Sequence, residues 1–224
     1  LLIAGVQVAH FDRIKLVVDE LSNRVTVSFS LGLHPMFDHG DMTTALTALD
    51  QKLADWQSQV SAVGEFGLDK FSETPLDCQQ QLVDQHLELA NTYRLPVILH
   101  CRGYHNELLQ CLDRNPPQCG GVLHAFSGSE QLGLSFIKRG LKLGIGGVIS
   151  YERAAKTRRA IEALPLDSLV LETDSPDMPL QGYQGQRNEP SQIVHVLNAL
   201  AELRGCDREA LAAILYNTSE QLFS

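Results

Sequence analysis

The 224-residue sequence contains no apolar run that approaches the about 18 residues needed to span a bilayer. It shows no charged-then-apolar leader with a small-residue cleavage site, so we expect no secretion signal. Cations are also few, since 18 Lys and Arg stand against 27 Asp and Glu and give a formal net charge of -9. This balance excludes a broad basic surface that follows nucleic acid by neutralising its phosphates. A polyanionic substrate would have to be held by bound metal and a few local cations.

Paired cysteines are lacking as well. The five cysteines are scattered and include no C-x-x-C pair, a pattern typical of reduced thiols in the cytosol rather than of a disulfide framework or a zinc knuckle. We therefore expect a cytoplasmic protein without membrane association. The hydrophobic share of 44% is that of an ordinary globular chain, and the length suits one domain.

What the sequence does contain is a repeated strand and helix pattern. Short β-rich apolar runs alternate with helical spacings, which indicates βα repetition and a parallel sheet. We count seven βα units, one fewer than the eight of a TIM barrel. The fold prediction is a single α/β-barrel domain over residues 1–224 that lacks its first βα unit, because residues 1–5 already have the composition of a buried strand.

Some local predictions bear on the site. The third strand is predicted to end at Gly64 and to leave through a loop over residues 65–69, because that stretch has two flanking glycines. Residues 148–149 are a further candidate strand. Asn188 is predicted to cap a helix with Pro190 in its first turn, and the last helix is predicted over residues 207–215.

Several predicted strands end in one His, Glu or Asp. Glu65, His100, His124 and Asp174 follow four different strands, and the carboxyl ends of parallel strands share one edge of a sheet or barrel. We therefore expect their two nitrogens and two carboxylates to converge on a divalent-metal site with room for water. Taken singly, each has a plainer interpretation, as a His bonded to backbone or a Glu in a turn.

Other polar residues near these strand ends are candidates for supporting roles. His34 and Arg102 are placed to meet phosphate oxygens, or alternatively form internal contacts. Asp69 and Glu172 are candidates for orienting the ligands, although Glu172 could equally be tied to a helix start. Ser129 is interpreted as a helix N-cap rather than as part of an anion site. The remaining histidines are interpreted as surface or packing residues: His10, His39, His86, His105 and His195.

Four stretches resemble, in order and spacing, the signatures of the TatD family of metal-dependent deoxyribonucleases, above all its YjjV branch. They are residues 64–69 (GEFGLD), 95–102 (LPVILHCR), 123–129 (LHAFSGS) and 171–176 (LETDSP). Residues 32–35 (GLHP) and 188–190 (NEP) match the family pattern too. The similarity extends over essentially the whole chain.

The resemblance implies a TIM barrel of the metal-dependent hydrolase type that cleaves phosphodiesters, in DNA or in small molecules, with one or two divalent ions. It implies that Glu65 is a ligand able to bridge two metals and that His100 and His124 bind the second metal. Asp174 is implied to be a ligand that also takes a proton from the attacking water. Mixed nitrogen and oxygen ligation suits zinc, manganese and, less well, magnesium. No obligate protein partner is inferred.

One family feature is missing from the sequence. The family's first strand carries a His-x-His pair that holds the first metal, and no His-x-His occurs here. The pair belongs upstream of Leu1, so we expect half a metal site and weak metal occupancy in this chain. Three functions stay open at this stage: a TatD-type nuclease, a hydrolase of another ester or amide on the same barrel, and a catalytically impaired barrel protein.

Overall fold

The computed structural model describes residues 1–223, which contain seven strands, each followed by a helix. The count of βα units predicted from the sequence agrees with this alternation. The chain divides into two compact units, residues 1–121 and residues 122–222. Among residues 1–223, no helix combines the length and the apolar character needed to cross a membrane.

The first unit carries four full βα pairs. Its elements are β1 (Leu2–Ala4), α1 (Val8–Leu21), β2 (Ser28–Leu31), α2 (Met42–Asp55), β3 (Val60–Asp69), α3 (Leu76–Tyr93), β4 (Val97–Arg102) and α4 (His105–Arg114). The strands β1, β2, β3 and β4 pair in parallel in that order. Their carboxyl ends therefore lie at one edge of this part of the sheet, as parallel pairing requires.

The second unit begins within β5. Its elements are β5 (Gly121–Leu123), α5 (Glu130–Ile137), β6 (Leu141–Ile145), α6 (Ala155–Ala163), β7 (Leu169–Leu171), α7 (Ile193–Arg204) and α8 (Arg208–Phe223). Strands β6 and β7 pair in parallel, with Gly144 opposite Val170. The Ser129 side chain accepts the Leu132 N–H at the start of α5, so the N-cap interpretation of Ser129 is confirmed.

The predicted loop over residues 65–69 is wrong, because β3 runs on to Asp69. Its ladder to β4 shifts register between Val63 and Phe66 and then resumes, with Gly67 opposite His100. A Cβ at Gly67 would lie 1.9 Å from the His100 carbonyl oxygen. The glycine therefore permits close strand approach instead of ending the strand.

Other local predictions also need correction. Residues 148–149 lie in a short 3-10 helix, Gly147–Ser150, instead of a strand. The last helix does not end near residue 215 but continues to Phe223. Its polar residues Thr218 and Ser219 donate their hydroxyls to carbonyls four residues back, so they satisfy themselves within the helix instead of ending it.

Candidate metal centre

Three potential ligands meet near the carboxyl ends of the strands of the first unit. His34 follows β2, Glu65 lies within β3 and His100 lies within β4. His34 Nε2 and His100 Nδ1 lie 3.2 and 3.3 Å from the same oxygen, Glu65 Oε1. We call this group the first cluster. His34 and Glu65 are buried and His100 is half-buried, so little solvent screens the carboxylate from the two rings.

The donor atoms of the first cluster fit a divalent metal. One donor from each of His34, Glu65 and His100 lies within 4.8 Å of the others. With metal–ligand bonds of about 2.0 to 2.2 Å, adjacent ligands of a tetrahedral zinc site lie roughly 3.3 Å apart. The two observed nitrogen–oxygen separations match that spacing. Nitrogen and carboxylate donors also suit zinc and manganese.

Asp69 orients the ring of His100. His100 Nε2 lies 2.8 Å from Asp69 Oδ2, and Asp69 is buried. Because a carboxylate accepts the Nε2 proton, Nδ1 carries the lone pair that points towards Glu65. The supporting role predicted for Asp69 therefore has a direct contact behind it.

The ring of His34 is held by its own loop. Its Nδ1 accepts the Met36 N–H at 3.2 Å, which holds the ring with Nε2 towards Glu65. His39 donates from Nε2 to the His34 carbonyl at 2.9 Å, and burial lowers the pKa of His39. The structure places His34 Nε2 3.2 Å from Glu65 Oε1, and the contact of His34 with phosphate stays a prediction.

Two buried polar residues of α3 hold the backbone around the first cluster. The Leu33 N–H donates to His86 Nε2 at 3.0 Å, and His86 Nδ1 donates to the Leu82 carbonyl at 2.7 Å. Complete burial lowers the pKa of His86 to about 4, so the ring is a neutral acceptor near pH 7. His86 thereby fixes the residue just before His34.

Gln79 does the same for Asp69. Its Oε1 accepts the Asp69 N–H at 2.8 Å, while its Nε2 donates to the carbonyls of Asp69 and Thr74. Gln79 and His86 are seven residues apart, which places them on one face of α3. Sequence reasoning missed both roles. The only signal for His86 was an imidazole on an otherwise apolar helix face, and Gln79 offered none.

The second unit holds its own group of predicted site residues, which we call the second cluster. His124 Nδ1 lies 3.1 Å from Glu172 Oε1, and His124 Nε2 lies 3.6 Å from Asp174 Oδ1. Glu172 Oε1 also accepts the Ala125 N–H at 2.7 Å. Glu172 is thus bound to the residue after His124, which supports its predicted role in orienting that ring.

Two further residues shape the second cluster. A Cβ at Gly144 would lie 2.2 Å from Glu172 Oε2, so the glycine leaves room for this carboxylate. Asn188 does not cap a helix as predicted. Its side-chain amide donates to the carbonyls of Thr173 and Asp177, because a buried amide beside a loop satisfies carbonyls that the loop itself leaves open.

Arg102 lies at the end of β4, opposite Asp69 in the ladder. Its guanidinium carbon is 4.1 Å from the centroid of the Phe71 ring. The predicted residues therefore fall into two groups: the first cluster with Asp69 and Arg102 nearby, and the second cluster. Convergence of Glu65, His100, His124 and Asp174 on one metal stays a prediction.

The whole chain, residues 1–224, matches the TatD related DNase family. The protein belongs to this family of metal-dependent hydrolases, and the family predicted from its motifs is confirmed. It is 46% identical over 196 residues to YjjV of Escherichia coli K12, named an uncharacterized metal-dependent hydrolase, covering 87% of this chain and 76% of YjjV. The 3'-5' ssDNA/RNA exonuclease TatD of Citrobacter rodentium is 34% identical over 207 residues, 86% of this chain and 75% of that protein.

The crystal structure of Escherichia coli YjjV superposes with a TM-score of 0.91 at 43% identity, over 99% of this chain and 85% of that one. The α/β fold predicted from the sequence, of the TIM-barrel metal-dependent hydrolase type, is therefore confirmed.

Proposed function

We propose that this protein hydrolyses phosphodiester bonds in DNA with the help of one or two divalent metal ions. The observation that carries the proposal is the approach of His34 and His100 to one oxygen of Glu65, in a chain that matches the TatD family from residue 1 to residue 224. Its relative from Citrobacter rodentium is named an exonuclease on single-stranded DNA and RNA, which supports a nucleic-acid substrate.

The proposed metal ligands are Glu65, His100, His124 and Asp174, with zinc, manganese or magnesium as the ion. When bound, such an ion would lower the pKa of a water molecule and polarise the phosphate. Asp174 takes a proton from the attacking water, which requires only hydrogen-bond reach. Glu65 and Asp174 are the proposed catalytic residues.

Substrate contacts come from His34 and Arg102 in this proposal. Arg102 presents a planar fork of N–H groups that suits phosphate oxygens. Asp69 and Glu172 hold the rings of His100 and His124 in the orientation that leaves the opposite nitrogen facing a site carboxylate. The proposal includes a single α/β-barrel domain over residues 1–224 and a cytoplasmic location, which the five free cysteines support.

The test is cleavage by metal-depleted protein to which Mn²⁺, Zn²⁺ or Mg²⁺ is added back. The substrates are an end-labelled single-stranded oligodeoxynucleotide, bis(p-nitrophenyl) phosphate and a p-nitroanilide. We expect metal-dependent cleavage of the two phosphodiesters and none of the amide. Glu65→Gln and Asp174→Asn each lower kcat/KM about 1,000-fold, because several kcal/mol of transition-state stabilisation are lost.

The matched control is His195→Gln, which alters an imidazole whose ring contact is with Tyr183. Its activity should stay within twofold of the original protein, a limit that allows for roughly 0.4 kcal/mol. Unchanged turnover in Glu65→Gln and Asp174→Asn would show that the assigned ligands are wrong. Cleavage of the amide without cleavage of phosphodiesters would replace the nuclease by a hydrolase of another substrate class.

A further inference from the structure

Two cations and an aromatic ring form a compact group just beyond the first cluster. The backbone N–H of Lys70 donates to the backbone carbonyl of Arg102 at 2.9 Å. The Arg102 guanidinium carbon lies 4.1 Å and the Lys70 Nζ 4.9 Å from the centroid of the Phe71 ring. We call these three residues the Lys70–Phe71–Arg102 cluster. Both charges therefore lie within cation–π range of one ring.

This cluster faces solvent, since Lys70, Phe71 and Arg102 are all exposed. Phe71 is 54% exposed, more than any other phenylalanine in residues 1–223. Over the same residues, neither the Lys70 ammonium nor the Arg102 guanidinium is paired with a carboxylate. In a chain with a net charge of -9, two neighbouring cations without a carboxylate partner are available to an external anion.

The segment that carries Lys70 and Phe71 is fixed by the carboxylate that orients His100. Asp69 Oδ2 contacts His100 Nε2, and Asp69 Oδ1 accepts the Phe71 N–H at 2.8 Å. A Cβ at Gly103 would lie 2.3 Å from Lys70 Cδ, so the lysine stem lies against the Gly103 backbone. The position of the cluster is therefore tied to the position of the first cluster.

The spacing along β4 suits a polymeric substrate. Arg102 comes two residues after His100, so the two side chains leave the same face of the strand about 7 Å apart. A phosphate beside His100 and a second phosphate beside Arg102 would belong to successive units of one strand. Aromatic rings next to cations are how proteins bind single strands, because each base has a face that can stack.

We propose that Lys70, Phe71 and Arg102 form a subsite for the nucleotide next to the scissile phosphate of a single-stranded DNA. Lys70 and Arg102 contact its phosphate, and the exposed part of the Phe71 ring contacts its base. The inference rests on the proposed function and narrows it, because a strand with at least two phosphates then becomes a better substrate than a small phosphodiester.

The experiment compares Lys70→Met and Phe71→Ala with the unaltered protein in the presence of the activating metal. The first readout is the ratio of kcat/KM for a hexadeoxynucleotide to kcat/KM for bis(p-nitrophenyl) phosphate, which has one phosphate and no neighbouring nucleotide. We expect Phe71→Ala to lower this ratio about tenfold, in line with the usual loss of one base-stacking contact. Lys70→Met should also lower it about tenfold, because one charge-assisted contact with phosphate is lost. Most of the change should lie in KM for the oligonucleotide.

The second readout is binding of a fluorescein-labelled hexadeoxynucleotide by anisotropy at several salt concentrations. Loss of one phosphate contact should reduce the slope of log affinity against log salt by about 0.7 in Lys70→Met. Phe71→Ala should weaken binding with little change in slope. The matched control is Arg153→Met, which removes a guanidinium 4.6 Å from the centroid of the Tyr151 ring.

The outcomes separate the subsite from the nuclease assignment. If the unaltered protein cleaves both phosphodiesters and the two variants match Arg153→Met in ratio and in salt slope, the subsite is wrong and the proposed function stands. If the unaltered protein cleaves neither substrate with any metal, the proposed function fails. The anisotropy measurement then decides the subsite alone, since it needs no turnover, and equal affinity in all variants overturns it.

Discussion

The first and second clusters use the same arrangement on opposite imidazole nitrogens. In the first cluster, His100 Nε2 contacts Asp69 and His100 Nδ1 faces Glu65. In the second cluster, His124 Nδ1 contacts Glu172 and His124 Nε2 faces Asp174. Each ring therefore lies between an orienting carboxylate and a carboxylate proposed to bind metal. The comparison shows that the orienting contact, rather than a particular nitrogen, is what the two clusters share.

The clusters differ in how firmly the orienting carboxylate is held. The Asp69 side chain is 1% exposed and that of Glu172 is 18% exposed. Asp69 has its backbone N–H and carbonyl bound by Gln79, whereas Glu172 depends on the Ala125 N–H and on the space beside Gly144. We therefore expect the first cluster to be the more rigid and to suffer more from a change in its support.

The largest expected effect concerns the backbone support of the first cluster at low pH. The unfolded chain protonates His86 near pH 6.5, whereas the folded chain does so only near pH 4. The folded state therefore binds fewer protons, and the stability that depends on neutral His86 is complete above pH 6.5 and is lost as the pH falls towards 4. The loss amounts to about 3 kcal/mol at pH 4.

Urea unfolding of the metal-free protein between pH 4 and 7 measures this effect. The comparison is with His86→Gln, whose side-chain oxygen can still accept a hydrogen bond but cannot titrate. As the pH is lowered from 7 to 4, the free energy of unfolding should decrease more steeply in the original protein than in the variant. Parallel curves would contradict a neutral buried His86.

The second prediction separates the two orienting carboxylates. Asp69→Asn should weaken metal affinity about 100-fold and Glu172→Gln about 10-fold, the two ends of the usual range for residues that orient ligands. Asp69→Asn should cause the larger loss because Asp69 is more buried than Glu172, so water can less easily take over the hydrogen bond that its carboxylate makes to the imidazole. Competition with a chelator gives the affinities, with the exposed Asp19→Asn as control. Equal losses would remove rigidity as the difference between the clusters.

The sequence predicted the residues at the strand ends better than it predicted their contacts. Glu65, His100, His124 and Asp174 are predicted as metal ligands because an apolar, β-rich run leads into each of them and because imidazole and carboxylate groups bind metals. The family fold followed from the same motifs. A strand pattern does not say which ring nitrogen meets which carboxylate, since that depends on side-chain rotation within the packed sheet.

The residues that sequence reasoning missed act through distant backbone. His86 accepts a hydrogen bond from Leu33, 53 positions away, and no local periodicity encodes such a pair. The sequence predicts that β3 ends at Gly64 because glycine usually weakens a strand, whereas Gly67 allows β4 to approach closely. The sequence predicts Asn188 as a helix cap because asparagine is common at that position, and only the folded loop shows the carbonyls that its amide binds.

The smallest expected effect tests the space beside Glu172 in the second cluster. In Gly144→Ala the new Cβ would lie 2.2 Å from Glu172 Oε2, so the carboxylate must move away. We expect a loss of about 1 to 2 kcal/mol in the free energy of unfolding, as for other overpacked sites.

The matched control is Gly146→Ala, whose Cβ would lie 3.4 Å from the nearest atoms of Glu172, an ordinary contact. Chemical denaturation of the metal-free proteins measures both. If Gly144→Ala is no less stable than Gly146→Ala, then the Glu172 carboxylate moves freely, and the second cluster holds His124 less tightly than its contacts indicate.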